Sequence, residues 1–399
     1  VKPTIHLILT VWGAPFVEKW AGFSLPTLIS ARNLPLLGVS SHCVFHFFTD
    51  RASRELLEER TKFLDEWVER RIHLFEETSF EGTPMESSVI GRREAYAKNL
   101  LNITTVPWVI DSALAEGSNP IIIVLDTDFI LSDGALSQAV GALRAGKKAV
   151  MIPVLRLSLE KSGWQAGELY RDGEGISYGE LSGALMRAAH KVTRSLLINA
   201  TDFSHYPTSL IWPAAESGWL VRSFFPHPLA FYASSKCRRF PSTIDYSFAL
   251  RMYPQARDVT LPRLGEEILV CKLTAEAPSG TKLTIGRPLY PLFMTHFLLY
   301  HTNIAHRQLA NQPLRISENE LPDQVWREIE AKSQAYLDDC YERVKQAAAQ
   351  FPASETAKRW VRSFFGPVEE FLCPERFNDQ TKINPSFNVL PLMTENLTA

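Results

Sequence analysis

One stretch constrains this chain more than any other: Ile121-Ile122-Ile123-Val124-Leu125, followed at once by Asp126-Thr127-Asp128. Five aliphatic residues in a row leave no polar face, so they predict a strand buried on both sides, as in a parallel sheet covered by helices. Asn119-Pro120, a turn signal, stands just before it. Two carboxylates then leave the carboxyl end of the strand, where open α/β sheets bind ligands. If the strand continued, a period of two would point both carboxylates the same way. They would then be hard oxygen ligands for Mg²⁺ or Mn²⁺ carrying a diphosphate. A purely structural alternative is that the two Asp cap the turn before a helix beginning near Asp133-Gly134.

The rest of the first third repeats the strand and helix alternation. Ile5 to Val11 is an apolar run ending at Trp12-Gly13, with helical spacing after it through Phe16, Trp20 and Leu28. Cys43 to Thr49 stops at Asp50, a charged amphipathic helix follows from Glu55 to Arg70, and Ile72 to Phe75 is a third short strand. A helix is predicted from Arg93 to Leu101, a break at Pro107, and a further helix from Trp108 to Ala115. Beyond the central strand, a helix to Ala145 and a strand from Ala149 to Leu155 continue the pattern. Residues 161 to 180 read as a polar, glycine-rich loop or insertion. The aromatic and proline-rich span from Phe203 to Tyr253 reads as irregular but packed, because its tryptophans and phenylalanines need burial. Glu318 to Gln350 is helical and strongly charged. The expected fold is α/β, a Rossmann-type mostly parallel sheet flanked by helices, with a C-terminal helical extension.

Composition narrows the function classes. The 399 residues carry 42 Lys and Arg against 44 Asp and Glu, so no basic excess points to nucleic acid. An apolar fraction of 45% fits a chain that buries a core. Cys43, Cys237, Cys271, Cys340 and Cys373 are odd in number and form no CxxC pair, which argues against a disulfide framework or structural zinc and for a reducing compartment. No run reaches the roughly 18 apolar residues of a membrane span. The segment from Leu7 to Val17 follows Lys2 in the manner of a signal-peptide core, but it lacks an A-x-A-like site and reads as a buried first strand running into a loop.

The order of a first strand ending in Thr10-Val11-Trp12-Gly13, a second ending at Asp50, and an aliphatic strand with D-x-D about 120 residues in resembles a glycosyltransferase of the GT-A type, over residues 4 to about 260. The resemblance is more to bacterial members than to Golgi ones. It implies a nucleotide-sugar, UDP- or GDP-linked, over an N-terminal Rossmann-like half, and Mn²⁺ or Mg²⁺ on Asp126 and Asp128. By position, Thr10, Trp12 and Asp50 would line the nucleoside pocket, with Asp126 also meeting the donor. Arg92, Arg93 or Lys98 would reach phosphate or sugar, although a solvated helix face explains each of them too.

Sites of this type are often completed by a further His or Asp. His205 and His227 are the candidates, and His227 is preferred because Pro226 and Pro228 fix its backbone. A hydrogen-bonded core histidine is the competing explanation. Asp245, isolated between apolar residues, would be the base that deprotonates the acceptor hydroxyl. It would only orient the donor in a retaining enzyme, or merely cap a helix from Tyr246. His296, His301 and His306 stand five apart, on different helix faces, and do not predict a metal site.

The expected activity is therefore metal-dependent transfer of a sugar to the hydroxyl of a glycan, lipid-linked or protein acceptor, in the cytoplasm or peripheral to a membrane through that acceptor. The domain expectation is one catalytic unit over 1–310, with a nucleotide-sugar half at 1–135 and an acceptor half at 136–310, and a helical extension over 311–399. A haloacid-dehalogenase-type phosphatase is the main rival, with Asp126 as nucleophile and Asp128 as acid and base. Ile130 departs from its pattern. A nucleotidyltransferase lacks its glycine-rich loop here, and a sugar- or protein-binding scaffold with an inert D-x-D is the non-enzymatic alternative.

Overall fold

The aliphatic run is a strand with every residue buried, and it lies inside a seven-stranded sheet. This follows from a computed structural model that describes residues 3–349, apart from 81, 89–93, 117–118, 172, 235–247, 250–251, 254, 256, 263–267 and 277–282. Arg92, Arg93, Asp245, Cys237 and Cys373 lie outside the described residues. Lys98 sits in a described helix, but its side chain does not belong to what is described.

The strands used below are β1 (Ile5–Thr10), β2 (Cys43–Thr49), β3 (Glu69–Leu74), β4 (Ile121–Leu125), β5 (Phe129–Leu131), β6 (Ala149–Ile152), β7 (Leu155–Ser158), β8 (Ser209–Ala214), β9 (Gly218–Ser223), β10 (His227–Tyr232), β11 (Val259–Thr260), β12 (Val270–Thr274) and β13 (Leu314–Ser317). The main sheet runs β11-β6-β10-β4-β1-β2-β3. Its strands are parallel except β10, which runs against both β4 and β6. From β1 the chain first winds outward to β2 and β3, then returns to place β4 on the other side of β1. The carboxyl ends of β1 and β4 therefore flank a point where the winding reverses, and there the connections leave a crevice.

Alternate residues of β1 feed two cores. Ile5, Leu7 and Leu9 pack on one face and Ile8 on the other. The second face is covered by a helix spanning Glu94–Ala115. Pro107 lies inside that helix instead of breaking it. A proline there removes one backbone donor, and the full burial of Val106, Val109 and Ile110 offsets the loss.

The span from Phe203 to Tyr253 is more regular than its composition suggests, since β8, β9 and β10 lie within it. β8 and β9 form a second sheet with β13, in the order β8-β9-β13, and β5-β12-β7 is a third. The stretch expected as a loop at 161 to 180 carries a short hairpin pairing Tyr170 with Gly175, and ends in a helix at Tyr178–Arg187 with a Ser177/Glu180 capping box. The charged C-terminal pattern is a helix over Asp323–Ala349. It packs on the second sheet, where Trp326, Leu337, Cys340 and Val344 meet Trp212 and Leu220. Among the described residues, no helix is long and apolar enough to cross a membrane.

Arg222 of β9 ties this layer together. Its side chain is buried and donates to Ser333 Oγ at 2.8 Å, the Ala310 carbonyl at 3.1 Å and the Glu330 carbonyl at 3.3 Å. Arg222→Ala is expected to cost about 3 kcal/mol through the cavity and the buried groups left unpaired. A lower urea midpoint at unchanged slope would show it; an unmoved midpoint would mean the helix is not anchored there.

Candidate functional site

The carboxyl ends of β1 and β4 open into a cleft of about 150 Å³, lined by Thr10, Val11, Trp12, Phe16, Lys19, Thr127 and Asp128. That is smaller than the roughly 300–1,000 Å³ of a complete small-molecule site, and of a size for one part of a larger ligand. Thr10 and Trp12 stand beside Thr127 and Asp128 of the D-x-D turn here.

Local structure holds each wall. After Gly13, whose φ of 79° suits glycine, a short helix at Ala14–Lys19 passes into a π-helical turn at Trp20–Ser24. π-turns are frequent at functional sites because they re-aim the side chains around them. Here Ser24 Oγ donates to the Thr127 carbonyl at 2.8 Å, and so pins the D-x-D turn to the helix that carries Lys19. Leu273 N donates to the Asp128 carbonyl at 2.8 Å from the other side. The two Asp do not cap a helix, because the strand β5 follows them directly.

Electrostatics at the turn are set by a residue that the motif does not announce. Lys272 of β12 ion-pairs closely with Asp126 Oδ2, and its Nζ lies 3.9 Å from Asp128 Oδ1. The ammonium also sits 5.4 Å from the centre of the Phe129 ring. Burial works against charge on Lys272, but the Asp126 and Asp128 carboxylates outweigh it and hold its pKa above the usual lysine value. Lys19 joins it from the cleft wall, donating from Nζ to the Leu273 carbonyl at 3.2 Å. Two buried oxygens on cleft residues, Thr10 Oγ1 and Asp128 Oδ1, have no hydrogen-bond partner. Buried polar atoms are rarely left so, and both can accept from a ligand.

The other candidate residues fall around this centre. Asp50 Oδ1 accepts from Ser53 N at 3.0 Å as a helix cap, and Ser53 Oγ in turn accepts from Gly13 N at 2.9 Å. Asp50 thus shapes the turn behind Trp12 and is not among the cleft-lining residues. Trp12 packs edge-on to Phe75 with ring centres 6.0 Å apart. His227 opens β10 with its ring edge-on to Phe129 at 6.0 Å, and its Nδ1 is 3.0 Å from the Pro228 carbonyl.

A resident Mn²⁺ or Mg²⁺ does not fit the described residues. No three His, Cys, Asp or Glu side chains among them converge as a metal cluster. A dication on Asp126 and Asp128 would lie within a few ångströms of the Lys272 ammonium. Two unit charges at 4 Å repel by about 4 kcal/mol even at an effective dielectric of 20, and a dication about doubles that.

Lys19 and Lys272 were not legible as site residues. The signal available for Lys272 was a lone lysine inside the apolar run Val270-Cys271-Lys272-Leu273. A second unannounced feature lies across β1, β2 and β3. His6 Nδ1 is 3.0 Å from His46 Nε2, and His46 Nδ1 is 3.0 Å from His73 Nε2, with both ring pairs stacked at 5.3 Å.

No family model and no curated protein matches the sequence. Among solved structures, mouse xyloside xylosyltransferase 1 in its apo form is similar at 15% identity and a TM-score of 0.27, over 40% of this chain and 55% of that one. The chain thus spans little more than half of that protein's length. The 4-diphosphocytidyl-2C-methyl-D-erythritol synthase of Anaerococcus prevotii is similar at 8% identity and a TM-score of 0.29, over 67% of this chain and 92% of that one.

Proposed function

We propose that the chain is a glycosyltransferase that moves a sugar from a nucleoside diphosphate sugar to an acceptor hydroxyl. The observation that carries this reading is the meeting, in one cleft at the reversal point of the sheet, of the Lys19 ammonium with buried oxygens on Thr10 and Asp128 that lack a hydrogen bond. Hydroxyl donors of a ribose or sugar would satisfy the oxygens. Lys19 would meet the phosphates, and the Trp12 ring offers a flat wall to a nucleobase.

In the reaction, the bond from the anomeric carbon to the diphosphate oxygen breaks and its electron pair leaves with the diphosphate. The acceptor oxygen forms the new bond, and its proton passes to a carboxylate, for which Asp245 is the proposed base. Arg93 and Lys98 are proposed to contact phosphate or sugar, and Asp50 to border the nucleoside. No step is routed through a metal. Residues 1–135 would serve the donor and 136–310 a glycan, lipid-linked or protein acceptor, with 311–399 as an extension. The free, buried Cys43, Cys271 and Cys340 are consistent with work in the cytoplasm.

Calorimetry with UDP and GDP tests the reading. Wild type should bind one of them, and Thr10→Val should weaken that binding about fivefold to tenfold, the loss of one net hydrogen bond. Absence of binding to either nucleotide, with and without Mn²⁺, would sink it. Release of inorganic phosphate from simple phosphate esters would favour the phosphatase instead.

A further inference from the structure

We infer that Lys272 is a built-in cation standing where a divalent ion would otherwise bridge Asp126 and Asp128, so that the cleft takes a diphosphate without metal. The inference rests on the nucleotide-sugar reading for its ligand, but its electrostatic part does not.

Lys272 is placed for this by two strand pairings. On one side β12 runs antiparallel to β5, with Lys272 opposite Phe129, the residue that follows the D-x-D. On the other it runs parallel to β7, with Lys272 in register with Arg156. The side chain is only 16% exposed, against 4% for Asp126. It is therefore fixed behind the cleft wall and cannot swing out to solvent as a surface lysine would. Its ammonium reaches Asp126 directly and stands 3.9 Å from Asp128 Oδ1.

The charge balance follows from these neighbours. Asp126 and Asp128 alone would repel a diphosphate, which is why two such carboxylates ordinarily imply a metal. Here Lys272 offsets one of them from behind, and Lys19 stands in the cleft wall itself. The Arg156 charge also acts on Lys272. The Lys272 and Lys19 ammonium groups match the two carboxylates in charge without any ion from solution. Lys19 then meets the phosphates directly, whereas Lys272 acts through Asp126 and Asp128 as a positioning residue. The design is rigid: the cation is covalently attached, so binding does not depend on the metal concentration of the compartment.

Two measurements on the full chain test this. The first follows Mn²⁺ alone, by electron paramagnetic resonance, in wild type and in Lys272→Ala. Wild type should show no tight Mn²⁺ site, and Lys272→Ala should gain one, at least tenfold tighter, as its two carboxylates are released. Equal Mn²⁺ affinity in the two proteins overturns the inference. The second measures UDP and GDP binding to wild type in EDTA and in Mn²⁺, and does not depend on whether the variant folds. Equal affinity in both buffers supports the inference, and a tenfold or greater gain with Mn²⁺ overturns it. If neither nucleotide binds in either buffer, the glycosyltransferase reading fails and the diphosphate part of the inference fails with it. The exclusion of metal by Lys272 is still decided by the first measurement.

Discussion

Asp126→Asn is expected to destabilise the fold by about 3–5 kcal/mol, the usual cost of removing one partner from a buried ion pair. Asp126 is 5% exposed and the Lys272 side chain only 16%, so the ammonium left behind stays largely out of water and finds no equivalent partner. Asp128, at 3.9 Å, compensates only in part. The pair differs in this from surface ion pairs such as Arg54–Glu58, where loss of one partner costs little. Replacing both members, as in Asp126→Asn with Lys272→Met, should recover most of the stability, because an uncharged pair of similar volume leaves no orphaned charge. Thermal or urea unfolding of the three proteins reads the coupling directly. If the double variant is as unstable as the sum of the single ones, Asp126 and Lys272 do not act as a pair.

What could be read from the sequence, and what could not, follows from the range of the interactions involved. β1, β2 and β4 are local, mostly apolar runs buried on both faces, so composition alone marks them, whereas β3 is an edge strand that opens on Glu69-Arg70-Arg71 and is only half-buried. The turn after β4 marks the edge where the cleft opens. Thr10, Trp12 and Asp128 then follow, because each lies within three residues of a strand end. β8 is masked by Pro213, which a strand tolerates here because β8 is an edge of its sheet. β10 is an interior strand that accommodates Pro228 at its start, where its register with β6 shifts between Pro228 and Ala230, and it runs against both neighbours, which no local pattern reveals. Lys272 escapes for a different reason. It meets Asp126 only because β12 pairs with β5 far along the chain. Spacing rules describe side chains on one element, and this contact joins two. The same holds for His6, His46 and His73, one on each of three strands, whose sequence neighbours say nothing of their mutual contact.

Acid should unfold this protein earlier than its carboxylates alone would, because of that row of histidines. Burial pushes the His6 pKa from 6.5 down to about 4; Glu116 and Glu69 oppose the shift, and Arg71 and His42 add to it. His73 is likewise pushed down to about 4, by burial and then Arg71. His46, between them, is driven well below 6.5 by burial, by both neighbouring rings and by Arg71. In the folded state each N···N contact needs one ring to donate and the other to accept, an arrangement that three neutral imidazoles supply. A further proton on an accepting nitrogen sets two N–H groups against each other unless the neighbouring ring changes tautomer.

The sign is then fixed. The unfolded chain takes up protons near pH 6.5 and the folded chain only near pH 4, so stability is complete above 6.5 and drains as the pH falls toward 4. At about 1.4 kcal/mol per pH unit, His6 accounts for about 3 kcal/mol, and the half-buried His73 for less because water screens it. Against a typical total of about 5–15 kcal/mol, this is a large fraction. Urea unfolding between pH 7.5 and 4.5 should therefore show stability falling below about pH 6.5 with a slope approaching about three protons, one for each ring. His46→Phe, which removes the ring that bonds to both others, should lower that slope by about one. A wild-type stability that stays level from pH 7 to pH 5 would show that the three imidazoles are not held neutral by the fold.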